Sequence, residues 1–410
     1  MSNNRILVLG LGHLSNGELT IALETVRHLP SNGFELLFIS HPNGANYIRS
    51  AGIPCMSLDK TTTWENRTLF EKILTDFNPG RILCADVYTM EYASVWCGID
   101  FEYLKRLGLP LGSFDQYEWE STNFEWDFTH APPVKIRPEL IKSCDFLIRP
   151  CPLNKVDASQ DSRIITCRLF GKNDNTPKMS RSMWAEALSI NLDRKVIFTV
   201  NSSWEYVDVS NSVSTKAMIE QMPKIIHGNI SLVGEPVTLI HVGPRQWTFP
   251  IASTIDYRYF PALKSDLYRE CLAHADLFMG TNAISITLSN AVFLGTPSIL
   301  LNNFKVLDFQ RISSILPKMP SWYQDVTKHV SSVFAFRMFP WGWSKFLSYV
   351  FADNPYQETF LTVPVMEPSK CKKAIEKYLF DESAISEIRE KQQVYFSKLS
   401  RLRPLEEQLM

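Results

Sequence analysis

The sequence predicts an α/β protein made of two Rossmann-like halves, and three observations carry that prediction. The first is a strand–loop–helix–strand pattern within the first forty residues. Arg5–Leu9 is a short apolar run, Gly10-Leu11-Gly12-His13 is a turn, Leu19, Ala22, Leu23, Val26 and Leu29 recur at helical spacing, and Phe34–Ser40 is a second run. Apolar runs alternating with amphipathic helices are the mark of a parallel sheet covered by helices. The second observation is that the pattern starts afresh at Lys195–Val200. The third is a polar stretch between Asn154 and Leu192, containing Lys172-Asn173-Asp174-Asn175-Thr176-Pro177, which reads as a linker.

The remaining elements follow the same logic. The first half continues with a helix over Thr68–Asp76, a strand at Arg81–Ala85, a helix over Tyr92–Leu107, a strand at Pro110–Phe114 and an apolar run at Phe146–Ile148. The second half has strands at Val237–Val242, Asp276–Met279 and Ser298–Leu301, with a helix running through Leu294. Ser369–Met410 alternates charged and apolar residues at helical spacing and reads as two helices. The expected division is 1–175, 190–370 and a helical 371–410.

Composition narrows the function. The chain has 410 residues, 42 basic and 43 acidic side chains and a net charge of −1. Nucleic-acid binders draw their affinity from clustered Lys and Arg, so this balance argues against that class. Eight cysteines without a C-x-x-C pair, mostly in apolar runs, read as buried free thiols in a reducing compartment. No leader precedes the first strand, and no apolar run reaches the roughly 18 residues of a membrane helix. A cytoplasmic protein without an integral membrane segment is expected.

Gly10-x-Gly12 after a first strand invites a dinucleotide reading, but Ser15 stands where the third glycine is needed. Ser40-His41 replaces the acidic residue that would hold a ribose. The loop presents His13 instead, at the carboxyl end of a strand, either as a general base toward a hydroxyl or as a residue bonded to its own turn. Asp86, beyond the strand at Arg81, either steadies that imidazole or caps the following helix. Asp115, Tyr117 and Glu118 lie in an acidic aromatic loop suited to an acceptor, or to a solvated turn.

In the second half, Ser202 and Ser203 form a small polar turn where backbone N–H groups can approach phosphate. Gly243 closes a strand and puts Arg245 near a phosphate or on the open surface. Gly280, Thr281 and Asn282 lead into a helix carrying Ser285, Thr287 and Asn290, and its N-terminus is an anion site. No D-x-D pair is present for a divalent cation, so neither a metal nor a cofactor is expected.

These residues resemble those of GT-B glycosyltransferases, which use nucleotide sugars to modify natural products or a lipid-linked peptidoglycan precursor. Gly12-His13-Leu14 resembles the first-loop motif whose histidine is the base, Ala85-Asp86-Val87-Tyr88 the partner aspartate, and Gly280 through Pro297 the donor-binding turn and helix. The resemblance implies two lobes facing across a cleft and a C-terminal helix crossing back to the first. It also implies a uridine or thymidine diphosphate sugar as co-substrate, a small-molecule acceptor and inverting, metal-independent transfer. Asn282, Asn290 and Leu301-Asn302-Asn303 depart from the basic, glutamate and acid–glutamine residues of that family. A nucleotide-sugar 2-epimerase and a non-catalytic scaffold on the same fold are the alternatives. The aromatic segment Phe334–Phe346 suits an acceptor pocket, a dimer contact, a membrane-surface patch or packing under the C-terminal helices.

Overall fold

The computed structural model describes residues 4–12, 17–126, 134–156, 161–171, 176–202, 213–302, 313–331 and 344–410. His13, Ser203, Asn303 and the segment 332–343 lie outside the described residues.

The first sheet is formed by β1 (Arg5–Gly10), β2 (Glu35–Ser40), β3 (Cys55–Ser57), β4 (Arg81–Cys84) and β5 (Leu111–Phe114). A two-stranded antiparallel pair, β6 (Glu125–Trp126) with β7 (Val134–Lys135), lies apart, and β8 (Phe146–Cys151) and β9 (Ile164–Arg168) complete the sheet. Its order is β3-β2-β1-β4-β5-β8-β9, every pairing parallel. The second sheet contains β10 (Lys195–Val200), β11 (Val237–Val242), β12 (Ile255–Phe260), β13 (Leu277–Gly280), β14 (Ser298–Asn302) and β15 (Leu361–Pro364). It too is parallel, in the order β12-β11-β10-β13-β14-β15. That is the doubly wound order, in which the chain reverses direction across the sheet between two central strands. The two switch points are β1/β4 and β10/β13.

Local chemistry explains where elements begin and end. Thr62 and Glu65 form a capping box at the start of the Thr63–Phe77 helix, which begins five residues before the expected Thr68. The single helix expected over Tyr92–Leu107 is two, Val87–Cys97 and Phe101–Arg106. Gly98 stops the first in a left-handed conformation (φ +73°), and a Cβ there would lie 2.7 Å from the Thr63 carbonyl oxygen. Asp100 then starts the second by accepting the Tyr103 N–H at 2.7 Å.

The polar stretch after Asn154 is more than a linker. Ile164–Arg168 is the edge strand of the first sheet and Arg181–Leu188 is a helix. Residues entering that helix are fastened to the second lobe: buried Glu270 accepts the N–H groups of Lys178 at 2.8 Å and Met179 at 3.2 Å. Asp276 accepts from Arg181 and from the Val196 N–H, both at 2.8 Å.

The C-terminal chain crosses back. The Glu382–Leu399 helix packs on the Ile286–Phe293 helix of the second lobe, and the Leu405–Leu409 helix packs on β9 of the first. Gln408 donates to the Thr166 carbonyl at 3.2 Å, and the Arg81 guanidinium donates to the Leu409 carbonyl. One apolar core consequently runs from β1 through Phe293 to Leu409. All eight cysteines are buried and unbridged, as their apolar surroundings predict. Among the described residues no helix is long and apolar enough to cross a membrane.

Replacing Glu270 by Ala removes the buried acceptor of two part-buried backbone donors, each bond contributing about 0.5–1.5 kcal/mol net. The expected result is a lower urea midpoint for Glu270→Ala with intact secondary structure; an unchanged midpoint would show that residues 178–179 are not held by this carboxylate.

Candidate functional site

At the first switch point, Gly10 lets the Gly17–Val26 helix approach β1: a Cβ on it would lie 2.2 Å from a Leu19 methyl carbon. Ser40, where a dinucleotide fold carries its acidic residue, is fully buried and donates to the Gly10 carbonyl at 2.7 Å. The loop joining β1 to this helix carries His13, so its imidazole is placed by sequence alone.

Asp86 follows β4 and caps the Val87–Cys97 helix, its Oδ1 accepting the Thr89 N–H at 2.7 Å. The capping role is therefore real, but it uses one oxygen. Oδ2 is buried and, among the described residues, has no hydrogen-bond partner. Burial, reinforced by the nearby Glu18 carboxylate, raises the Asp86 pKa to about 7. Glu18, in the first turn of the Gly17–Val26 helix, accepts from the Tyr117 hydroxyl at 3.2 Å. Burial and the charges of Glu18 and Asp86 hold Tyr117 well above the usual phenol range, so it remains a donor. Glu18, Asp86 and Tyr117 thus converge at the carboxyl ends of β1, β4 and β5. Sequence reasoning missed Glu18; its signal was an acid in the first turn of the helix that follows the His13 loop.

The acidic loop departs from expectation. Asp115 and Glu118 are buried rather than presented to an acceptor or to solvent. Asp115 pairs with Arg149 at 2.8 Å and accepts the Trp119 N–H at 3.1 Å. Burial pushes its carboxyl up to about 6 while Arg149 pulls it back toward the charged form. Glu118 accepts from the Asn154 amide at 3.1 Å. Asp115 holds the loop to β8 and Glu118 holds it to Asn154 just beyond that strand, and of the three only Tyr117 reaches the switch point. There Tyr88, Tyr117 and Trp119 meet edge to face, with centroids 4.9 and 5.3 Å apart.

At the second switch point, Asn201 follows β10, and its side-chain oxygen lies 3.0 Å from His241 Nε2. The Tyr257 hydroxyl lies 2.8 Å from His241 Nδ1, while accepting the Trp247 N–H at 3.1 Å. A hydroxyl donating to Nδ1 leaves Nε2–H to donate to the Asn201 oxygen. Burial lowers the His241 pKa to about 4, so this neutral tautomer persists at physiological pH. His241 escaped the sequence reading because it lies inside an otherwise apolar strand. Gly243 is buried, and a Cβ on it would come 3.1 Å from His241 and 3.2 Å from Asn201. Ser202 and Arg245 are exposed.

The turn after β13 is longer than expected. The helix starts at Ile286 rather than directly after Asn282. Asn282 accepts the Ile284 N–H at 3.0 Å, and Ser285 caps the helix by accepting the Thr287 N–H at 3.2 Å. Two of the N–H groups expected to meet an anion are thereby taken by these side chains. The Thr287 hydroxyl is 2.8 Å from that of Tyr268, an internal pairing rather than a donor contact. Gly280 and Thr281 are buried, Asn290 is half-buried. Asn302, at the end of β14, is fully buried, and among the described residues neither its amide nitrogen nor its oxygen is hydrogen-bonded. Each such atom costs about 1–3 kcal/mol unless something meets it.

The two lobes touch here: the Gly17–Val26 helix packs against the Ile286–Phe293 helix, the former carrying Glu18 and the latter capped by Ser285. Among the described residues no group of three or more His, Cys, Asp or Glu side chains is arranged to hold a metal ion.

Residues 25–410 match a family of unknown function (DUF6365). No curated protein sequence matches the chain. Solved structures do. The spinosyn forosaminyltransferase SpnP aligns at TM-score 0.54 with 13% identity, over 95% of this chain and 94% of its own. The spinosyn rhamnosyltransferase SpnG complexed with thymidine diphosphate aligns at 0.52 with 12% identity, over 95% and 96%. Arabidopsis thaliana UGT89C1 complexed with quercetin aligns at 0.56 with 9% identity, over 99% and 97%. At these identities the shared property is the fold, which is GT-B.

Asp86 generates a pH prediction. A carboxyl raised from about 3.9 unfolded to about 7 folded contributes stability that is complete below pH 4 and lost as pH rises through 7. Asn keeps the cap and cannot ionise. Asp86→Asn is expected to match the native protein near pH 4 and exceed it at pH 8 in unfolding midpoint. Parallel pH curves would rule out the raised carboxyl.

Proposed function

Because the chain belongs to this family of unknown function and has the GT-B fold, we propose that it is a glycosyltransferase moving a sugar from a nucleoside diphosphate to a small-molecule acceptor. The observation that carries the reading is the pairing of two switch points. The first gathers Asp86, Glu18 and Tyr117; the second has Asn201 and Gly280 at the ends of β10 and β13, with Ser285 capping the helix that follows; and the helix bearing Glu18 contacts the helix capped by Ser285.

In this reading residues 1–175 bind the acceptor, 190–370 bind the donor, and 371–410 join them. His13, on the loop above β1, takes the acceptor proton, and Asp86 Oδ2 supports the imidazolium that forms. Tyr88, Tyr117 and Trp119 offer rings to a flat acceptor. The Ser285-capped helix end and the Ser202–Ser203 turn receive the departing diphosphate, and Asn302 hydrogen-bonds the sugar with the two groups it leaves unmet. Inversion follows if the acceptor attacks in line with the leaving diphosphate. Thymidine diphosphate, found with SpnG, and quercetin, found with UGT89C1, are the first ligands to try.

One observation favours a non-catalytic reading: Asn282, Ser285 and Thr287 are all engaged internally, which leaves fewer side chains for a donor. Turnover separates the two. Thymidine and uridine diphosphates are expected to bind in calorimetry, and their sugars to release diphosphate with an acceptor present. His13→Ala and Asp86→Asn should cut that rate by about 100-fold or more while leaving nucleotide affinity in place. Binding without turnover supports the scaffold; absence of nucleotide binding removes both.

A further inference from the structure

A cavity of about 520 Å³ lies where the first lobe, the second lobe and the Glu382–Leu399 helix meet. It sits at the carboxyl end of the Ile286–Phe293 helix, the end opposite Ser285, and is therefore separate from the proposed donor site by the length of that helix, about 12 Å at 1.5 Å per residue. Its volume falls in the range that encloses small organic ligands.

Each of the three bodies contributes to its wall. Phe170 of the first lobe stacks on Phe293 of the second at 4.7 Å, and Phe396 of the C-terminal helix meets Phe293 edge-on at 5.0 Å. Arg168, at the end of β9, and Arg389 both line it, and among the described residues the lining includes no carboxylate. Arg389 donates its Nε–H to the Gly295 carbonyl at 3.2 Å, which fixes the guanidinium and leaves its terminal nitrogens in excess. Gln392 also lines the cavity, almost fully buried. Its amide nitrogen donates to the carbonyls of Thr296 and Thr359, both at 3.0 Å, while its oxygen is buried without a hydrogen-bond partner.

Two cations and an aromatic wall define a complementary ligand. We propose that this cavity is a second binding site, for a small organic anion with a flat apolar body. Its acid group faces Arg168 and Arg389, and its body lies on the phenylalanines. Because the walls come from both lobes, occupancy ties the lobes together.

The probe is 1-anilinonaphthalene-8-sulfonate, a flat aromatic anion with one N–H, titrated by fluorescence into the full chain. Its uncharged counterpart N-phenyl-1-naphthylamine serves as control. One tight site per chain is expected, with affinity falling about tenfold in Arg168→Gln and in Arg389→Gln while the uncharged probe is little affected. Ser397→Asp, which puts a negative charge on the exposed lip, should weaken the sulfonate in the same way without touching the core. Thymidine diphosphate should not displace it. Equal sulfonate affinity in native, Arg168→Gln and Ser397→Asp proteins, displacement by the nucleotide, or no binding at all would each overturn the assignment. Circular dichroism of each variant confirms that a loss is not unfolding, and none of these outcomes depends on glycosyl transfer.

Discussion

A parallel strand has to be followed by a crossover, and the crossover has one hand. Where a chain starts in the middle of a sheet and winds outward both ways, helices leaving adjacent strands therefore go to opposite faces, and the strand ends between them stay uncovered. That constraint acts twice in this protein, at β1/β4 and at β10/β13. Gly10, Asp86, Asn201 and Gly280 occupy those uncovered ends because of the winding, whatever chemistry they perform.

Polar satisfaction then distinguishes scaffold from candidate machinery. The loop after β5 is rich in acids, yet Asp115 and Glu118 are buried and engaged by Arg149 and Asn154, contacts that fix the loop. His241 is likewise fully used, with Tyr257 on one nitrogen and Asn201 on the other, so it acts by positioning Asn201. Asp86 and Asn302 are different. Each is buried at a strand end with a polar atom that no described residue meets, one in each lobe. A folded chain bears that cost where a ligand or a neighbouring side chain repays it.

Much of the fold was legible because its strands are continuous apolar runs buried on both faces. Lys195–Val200 and Val237–Val242 were located to the residue for that reason. The strands that escaped lack the signal. Ile255–Phe260 sits at a sheet edge and alternates Asp256 and Arg258 with aromatics; Ile164–Arg168 is another edge strand, set in polar sequence; Cys55–Ser57 has only three residues. At the site, sequence placed Asp86 and the Gly280 turn at strand ends. It misjudged Asp115, Glu118 and Thr287, because whether a polar side chain faces a cleft or an interior partner depends on Arg149, Asn154 and Tyr268, which are 34, 36 and 19 residues away. Local pattern carries no trace of such pairings. The same reason hid Glu18, whose role emerges only beside Tyr117, 99 residues later.

The cysteines carry a practical corollary. Burial lifts the thiols of Cys55, Cys144, Cys167, Cys271 and Cys371 to about 12 and that of Cys97 to about 11, with Cys84 higher still. Alkylating reagents attack thiolates, so in the folded state these seven react slowly. Any alkylation of these seven consequently reads out how often the interior opens, residue by residue and in both lobes. A cysteine engineered onto the open surface, for instance in place of the exposed Trp64, would accept a fluorophore far faster than these seven.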